Sequence, residues 1–334
     1  MSRITDGLQG GNESWEATAD ELGGALLPGL PVAGATKAVF VLADGPLHRL
    51  PFEVLPIGGK GGPLLIQAAD VAYESSATLL AERLAAMVAD RSASRPSACR
   101  LLAFGDPATA GSAASVESGT RGGLPTLRAL PHAREEVAHL SRLIEGTCVR
   151  VGEQATEAEF FRESPSASVI HLAAHAYVDD RHPGYSGIVL ASEGAEDGIV
   201  QGFEVLRSDL RADLVTLSAC DTGRGRWSRG EGLIGLSRAF RIAGARSLVV
   251  SLWQVNDEAT SEFMGRFYER LLEGQSLAAA LRATKQSFRE EAWEGGSDGD
   301  VTRGLGRRTR DSTARTPGWW SAFVLLGPGA SPYR

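Results

Sequence analysis

Cysteine, excess positive charge and long apolar runs are all scarce in these 334 residues, and each scarcity removes a class of function. Only three cysteines occur, Cys99, Cys148 and Cys220. They form no CxxC pair and their total is odd, so neither a disulfide framework nor a thiolate zinc site is suggested. Cys99 and Cys148 sit beside the apolar runs Leu101 to Phe104 and Val149 to Val151, where small buried thiols are expected. Lys and Arg number 34 against 41 Asp and Glu, a net charge of −7, so there is no global basic field to gather nucleic acid or anionic lipid. The longest apolar stretches, such as Leu248 to Trp253 and Ala322 to Leu326, fall far short of the roughly 18–20 residues of a membrane span. The first residues lack the charged-then-apolar layout of a signal peptide, and a soluble, cytoplasmic protein is expected. No internal repeat of about 20–50 residues is visible.

What is present is an alternation of β-rich runs with helical stretches. Ala38 to Leu42, Val71 to Tyr73, Leu101 to Phe104, Ser168 to Leu172, Gly187 to Ala191, Leu214 to Leu217, Ser247 to Leu252 and Ala322 to Leu326 read as strands. Several are apolar on both faces, as buried parallel strands require. Ser76 to Ala89, His132 to Ile144, Thr156 to Arg162, Gly232 to Ile242, Asp257 to Leu272 and Ser276 to Glu290 carry apolar residues at helical spacing. The pattern predicts an α/β fold, a largely parallel sheet with helices on both faces. Met1 to Ser14, Ala108 to Gly123 and Gly295 to Gly318 read as exposed loops or linkers, the last a solvated run rich in arginine.

Two strand exits combine reactive residues with a useful position. Val169-Ile170-His171-Leu172-Ala173-Ala174-His175-Ala176 runs from a buried strand into a turn. Leu214-Val215-Thr216-Leu217-Ser218-Ala219-Cys220-Asp221 does the same and opens into the Gly/Arg-rich stretch 223–230. Open α/β sheets bind ligands beyond the carboxyl ends of their strands, where His175 and Cys220 both fall. A thiol with an ordinary pKa of about 8.5 is only slightly ionised at neutral pH, and a neighbouring imidazole makes it an efficient nucleophile. His171, inside the apolar strand, is expected to be buried and structural. His48 follows the turn Asp44-Gly45-Pro46 and reads as structural, Trp319-Trp320 reads as core packing, and Gly230-Glu231-Gly232 lacks the Gly-Lys-Ser/Thr ending of a phosphate loop.

These segments resemble the CHAT family of caspase-like peptidases, in the clan that includes caspases and separase. The matching runs include Ala43 to Glu53, Phe104-Gly105-Asp106-Pro107, Ala133-Arg134-Glu135-Glu136-Val137, His171 to Ala176, Leu217 to Gly223, Gly230 to Phe240 and Ser251-Leu252-Trp253-Gln254-Val255-Asn256-Asp257, in the family's order. The resemblance implies a caspase-like three-layer α/β/α sandwich. It would comprise an N-terminal segment 1–35, partly disordered plus a helix, and a domain at 36–327, with halves 36–107 and 124–327 around a flexible linker 108–123. Residues 328–334 would form a tail. It implies a cysteine endopeptidase with His175 and Cys220 as catalytic dyad, the N–H groups of Ala176 and Cys220 as oxyanion hole, and no metal or cofactor. The implied substrate is a partner protein in bacterial defence or programmed cell death, including a gasdermin-like pore former, with a separate sensor or activator protein and no nucleic acid or membrane partner. The alternative is a catalytically silent scaffold. Asp179, Asp180, Asp221 and Asp257 are candidate substrate-binding residues for a basic P1 side chain, while Arg224, Arg226 and Arg229 favour the opposite charge. The Gly-rich loop Gly223 to Gly232 offers little apolar burial, and we expect the isolated chain to be latent until a partner or oligomerisation orders it.

Overall fold

The computed structural model describes residues 2–10, 14–31, 37–89, 98–109, 127, 130–177, 179, 182–218, 231–253, 255–290, 317–329 and 331–333. The first half contributes helices α1 (Ser2–Gly10) and α2 (Ser14–Leu26), strand β1 (Ala38–Val41), α3 (Leu65–Ala68), β2 (Asp70–Tyr73), α4 (Ala77–Ala89) and β3 (Cys99–Pro107). Then follow α5 (Pro131–Leu143), β4 (Thr147–Gly152), α6 (Glu157–Glu163), β5 (Ala167–Ala173), β6 (Ala176–Tyr177), β7 (Gly187–Val189), β8 (Ile199–Gln201) and α7 (Gly202–Val205). The chain continues through β9 (Leu214–Leu217), α8 (Glu231–Ile242), β10 (Ser247–Ser251), α9 (Asp257–Leu272), α10 (Leu277–Glu290), α11 (Pro317–Trp320) and β11 (Phe323–Leu326).

Eight strands form one sheet in the order β1-β2-β11-β10-β9-β5-β3-β4, and β6-β7-β8 form a small antiparallel sheet. β4, β3, β5, β9 and β10 are mutually parallel, and the antiparallel β10/β11 pair reverses direction for β11, β2 and β1. The central strands are apolar on both faces because helices cover both: every residue of β9 and β10 is buried. One helical layer holds α5, α9 and α10, which pack side by side. The other holds α6 and α8, joined by the edge-on contact of Phe160 with Phe240, and α4, whose Arg83 reaches the carbonyls of Arg241, Ala245 and Arg246. The expected three layers around a largely parallel sheet are therefore present.

Three expectations need correction. Residues 2–10, expected as part of an exposed loop, form α1. It buries Ile4 and Leu8, one helical turn apart, in the same core as the sheet. Thr147–Gly152 is an additional strand, β4 at the sheet edge, whose half-buried residues include Arg150 paired with Glu159 and Glu163. Cys99 and Cys148 are not separate thiols but a disulfide. They lie on adjacent parallel strands that bring their Cα atoms to 5.7 Å, within disulfide reach, a proximity that a sequence separation of 49 conceals. Disulfides persist mainly in oxidising compartments, so this pair does not support the expected cytoplasmic location.

Beneath β2, Lys285 of α10 donates to Glu53, whose other oxygen accepts from the Tyr73 hydroxyl at 2.5 Å. All three are buried, and burial holds the Lys285 ammonium below its ordinary range while Glu53 pulls it back. The pair fixes α10 to the helical turn Phe52–Val54 that precedes α3. Among the described residues no helix is long and apolar enough to cross a membrane, and no group of His, Cys, Asp and Glu is arranged to hold a metal ion.

Candidate active site

The site is built at the carboxyl edge of the five parallel strands. β5 and β9 are neighbours in register, with His171 opposite Thr216 and Leu172 opposite Leu217. The pairing extends one step further, as the Ser218 N–H donates to the Leu172 carbonyl at 3.0 Å. His171 lies within β5, and His175 follows two residues past its end. His171 is fully buried and faces the α5/α9 layer, as expected. His175 lies just past the strand end and is 1% exposed, held by the Val189 N–H donating to its carbonyl at 2.8 Å. That bond makes His175/Val189 a hydrogen-bonded pair of the β6/β7 ladder. Ala176/Ile188 is consequently the non-hydrogen-bonded pair, which turns the Ala176 N–H away from β7. Cys220 and Asp221 lie outside the described residues, as do Asp180, the stretch 219–230 and most of the expected linker and arginine-rich segments.

Directly under this edge lies a buried polar network that sequence reasoning did not assign. Oε1 of Glu136 in α5 accepts hydrogen bonds at 2.6 Å from both His171 Nε2 and Ser218 Oγ. His171 Nδ1 is 3.2 Å from the Tyr268 hydroxyl, which also meets Thr216 Oγ1 at 3.0 Å. Glu136 thereby ties α5, β5 and the exit of β9 together, with Tyr268 of α9 closing the other side. The signal was present in the sequence: Glu136 falls on the stripe of Ala133, Val137 and Leu140, which a solvated glutamate would avoid.

Of the candidate substrate-binding residues, Asp179 and Asp257 are described. Asp179 Oδ1 accepts from the His182 N–H at 2.9 Å and its own N–H donates to Ser186 Oγ, which folds the loop after β6 into a turn. Asp257, at the first turn of α9, accepts from the His132 N–H at the start of α5 at 2.9 Å. Burial raises its carboxyl to about 6, with Glu136 and Asp106 adding to the rise and the His132 N–H opposing it. Asp106 adopts a positive φ of 45° at the end of β3, where its carboxylate accepts from the Leu130 N–H and Arg134 Nε. These two aspartates fasten the N-terminus of α5 from both sides.

Comparison with known proteins agrees with this architecture. Tetratricopeptide repeat protein 28 of Mus musculus is 38% identical over 78 residues, 23% of this chain and 3% of that protein. The Homo sapiens protein of the same name is 28% identical over 185 residues, 46% of this chain and 7% of that protein. This chain thus spans less than a tenth of the length of either relative. Separase in the Saccharomyces cerevisiae separase–securin complex superposes with a TM-score of 0.51 at 12% identity, covering 86% of this chain and 15% of that one. At that identity the likeness concerns the fold, the caspase-like arrangement of a large, mostly parallel sheet between helices. The CHAT domain family model matches residues 16–328, from α2 through β11 and across both strand exits, and the chain belongs to that family.

Proposed function

We propose that this chain is a cysteine endopeptidase that cleaves a partner protein through His175 and Cys220. The register of β5 and β9 carries this reading. Leu172 and Leu217 stand opposite each other at one sheet edge, and His175 and Cys220 are each three residues further along their chains. Membership of the CHAT family and the caspase-like fold support it.

In the proposed reaction the Cys220 thiol, relieved of its proton by His175, attacks a peptide carbonyl carbon. The carbonyl oxygen becomes an oxyanion held by the N–H groups of Ala176 and Cys220, each such donor being worth about 3 kcal/mol. His175 then protonates the leaving amine, the C–N bond breaks, and a thioester remains. Water, deprotonated by His175, hydrolyses the thioester and returns the thiol. None of these steps calls for a metal or an organic cofactor. Ala176 stands where caspases commonly have glycine, and it keeps the N–H that the role needs; the turn of that N–H away from the β6/β7 ladder supports the reading. The substrate class the family resemblance implies is a gasdermin-like pore former in bacterial defence or cell death, with a separate sensor protein as activator.

The test is proteolysis of proteins encoded beside this gene, comparing wild type with Cys220→Ala and His175→Ala. Cleavage by wild type alone supports the reading. Equal cleavage by Cys220→Ala overturns it, and stable binding of a partner without cleavage favours the scaffold alternative.

A further inference from the structure

A large space lies under α4 and α8. A cavity of about 860 Å³ opens between α4 and α8, over the face of the sheet formed by β1, β2, β11 and β10. Its floor is apolar, built from Val41, Val250, Val324 and Leu326. Its mouth is apolar too: Leu42 and Ile242, 45% and 61% exposed, are two of the few large hydrophobic side chains that face solvent. Volume and lining fall in the range of small-molecule sites, roughly 300–1,000 Å³ with a few convergent polar groups.

Those polar groups gather at one end. Glu74 pairs with Arg241 of α8 and, at 3.9 Å, with Arg83 of α4. Three buried polar atoms in the lining have no hydrogen-bond partner: Arg83 Nε, Arg241 Nε and Ser237 Oγ. The Arg241 side chain is 8% exposed and Ser237 is 2% exposed, and polar groups buried to this degree are as a rule hydrogen-bonded. Asp44, also in the lining, is already engaged by the Gly45 N–H. Three arginines, counting Arg238 at the rim, face two carboxylates, which leaves one net positive charge. Burial and the adjacent Arg241 hold the Arg83 guanidinium below its ordinary range, with Glu74 opposing, as expected for two cations sharing one anion.

We infer that this cavity binds a small molecule with one carboxylate and an apolar chain. The carboxylate would accept from Arg83, Arg241 and Ser237, and the chain would lie on the valine and leucine floor with its end between Leu42 and Ile242. The polar end of the site lies away from the proposed catalytic edge: Arg83 bonds the Ala245 and Arg246 carbonyls at the start of β10, while the lining runs along the strand to Leu252 at its exit.

Dodecanoate, used below its micellar concentration, is the probe, with dodecanol and dodecylammonium as uncharged and cationic controls, in calorimetric titrations of the full chain. Saturable binding of dodecanoate at about one equivalent, at least about tenfold tighter than either control, is expected. Leu79→Trp, which narrows the space from α4, is expected to weaken it about tenfold or more, and Ser237→Ala by a few-fold. Should Leu79→Trp not fold, Ile242→Asp, at an exposed position, sets a like charge at the mouth and gives the same reading. No binding of dodecanoate to the folded protein, equal binding of dodecanol, or affinity unchanged in both Leu79→Trp and Ile242→Asp would overturn the proposal. None of these measurements depends on peptidase activity.

Discussion

Glu135 and Glu136 offer a controlled experiment written into the chain: two adjacent glutamates on one helix, in opposite environments. The Glu135 side chain is 71% exposed and meets His132, whereas Glu136 is 1% exposed and accepts two hydrogen bonds of 2.6 Å. Hydrogen bonds to a charged group contribute about 1.5–3 kcal/mol each, and truncation also strands the buried His171 and Ser218 donors. Glu136→Ala should therefore cost about 3–5 kcal/mol, the size found when one partner of a buried ionic pair is removed. Glu136→Gln keeps an acceptor of the same shape and should cost about 1–2 kcal/mol. Glu135→Ala should stay within about 0.5 kcal/mol of wild type. Equilibrium urea unfolding followed by tryptophan fluorescence reads all three. Since a domain's whole stability is about 5–15 kcal/mol, the first variant should lose about a fifth of it or more. A Glu136→Ala protein within 1 kcal/mol of wild type, or one no worse than Glu135→Ala, would show that the network does not hold the strand exits.

Three further outcomes are expected. Alkylation of the folded protein without reductant, mapped by mass spectrometry, should modify Cys220 alone, and all three cysteines after reduction and unfolding; early modification of Cys99 or Cys148 would contradict the disulfide. Burial, with Glu204 and Asp197 adding, raises the Glu157 carboxyl from 4.5 to about 8. The folded state therefore keeps a proton that the unfolded chain releases, and stability should fall as pH rises across that window. Glu157→Gln should flatten that slope, and an unchanged pH profile would refute the assignment. Lys285→Met alone should cost about 3–5 kcal/mol by leaving Glu53 buried without its cation, while Lys285→Met with Glu53→Gln should recover much of the loss. Additive losses in the denaturation midpoints would show that the two groups act separately.

The sequence made the central strands legible because burial on both faces writes an unbroken apolar run, as in Leu214 to Leu217. It singled out His175, which the structure places just past the end of β5, by the same strand-exit reasoning that singled out Cys220, which lies outside the described residues. β4 was harder: Thr147–Gly152 sits at the sheet edge, half solvated, with Arg150 in its middle. α1 was missed because only Ile4 and Leu8 mark its buried side in an otherwise polar segment. The disulfide, the Glu136 network and the cavity share one reason for being hidden. Each joins residues far apart in sequence, such as Glu74 with Arg241 at a separation of 167, and no local pattern records which strands will be neighbours.

Among the described residues, β11 is the strand that joins the two parts of the large sheet. β1 and β2 lie on one side of it and β10, β9, β5, β3 and β4 on the other. A ribosome delivers these pieces out of spatial order: Phe323 emerges 250 residues after Tyr73. During that interval the β1–β2 pair has an open edge, the kind of template that invites pairing with another chain. Long-range closure of this sort is slow, because loop entropy must be overcome before the contacts form. Emergence of β11, rather than the appearance of the strands around His175, should thus set the moment at which the sheet becomes one body, and chains cut short before Phe323 should be captured by chaperones or aggregate rather than accumulate as a folded core.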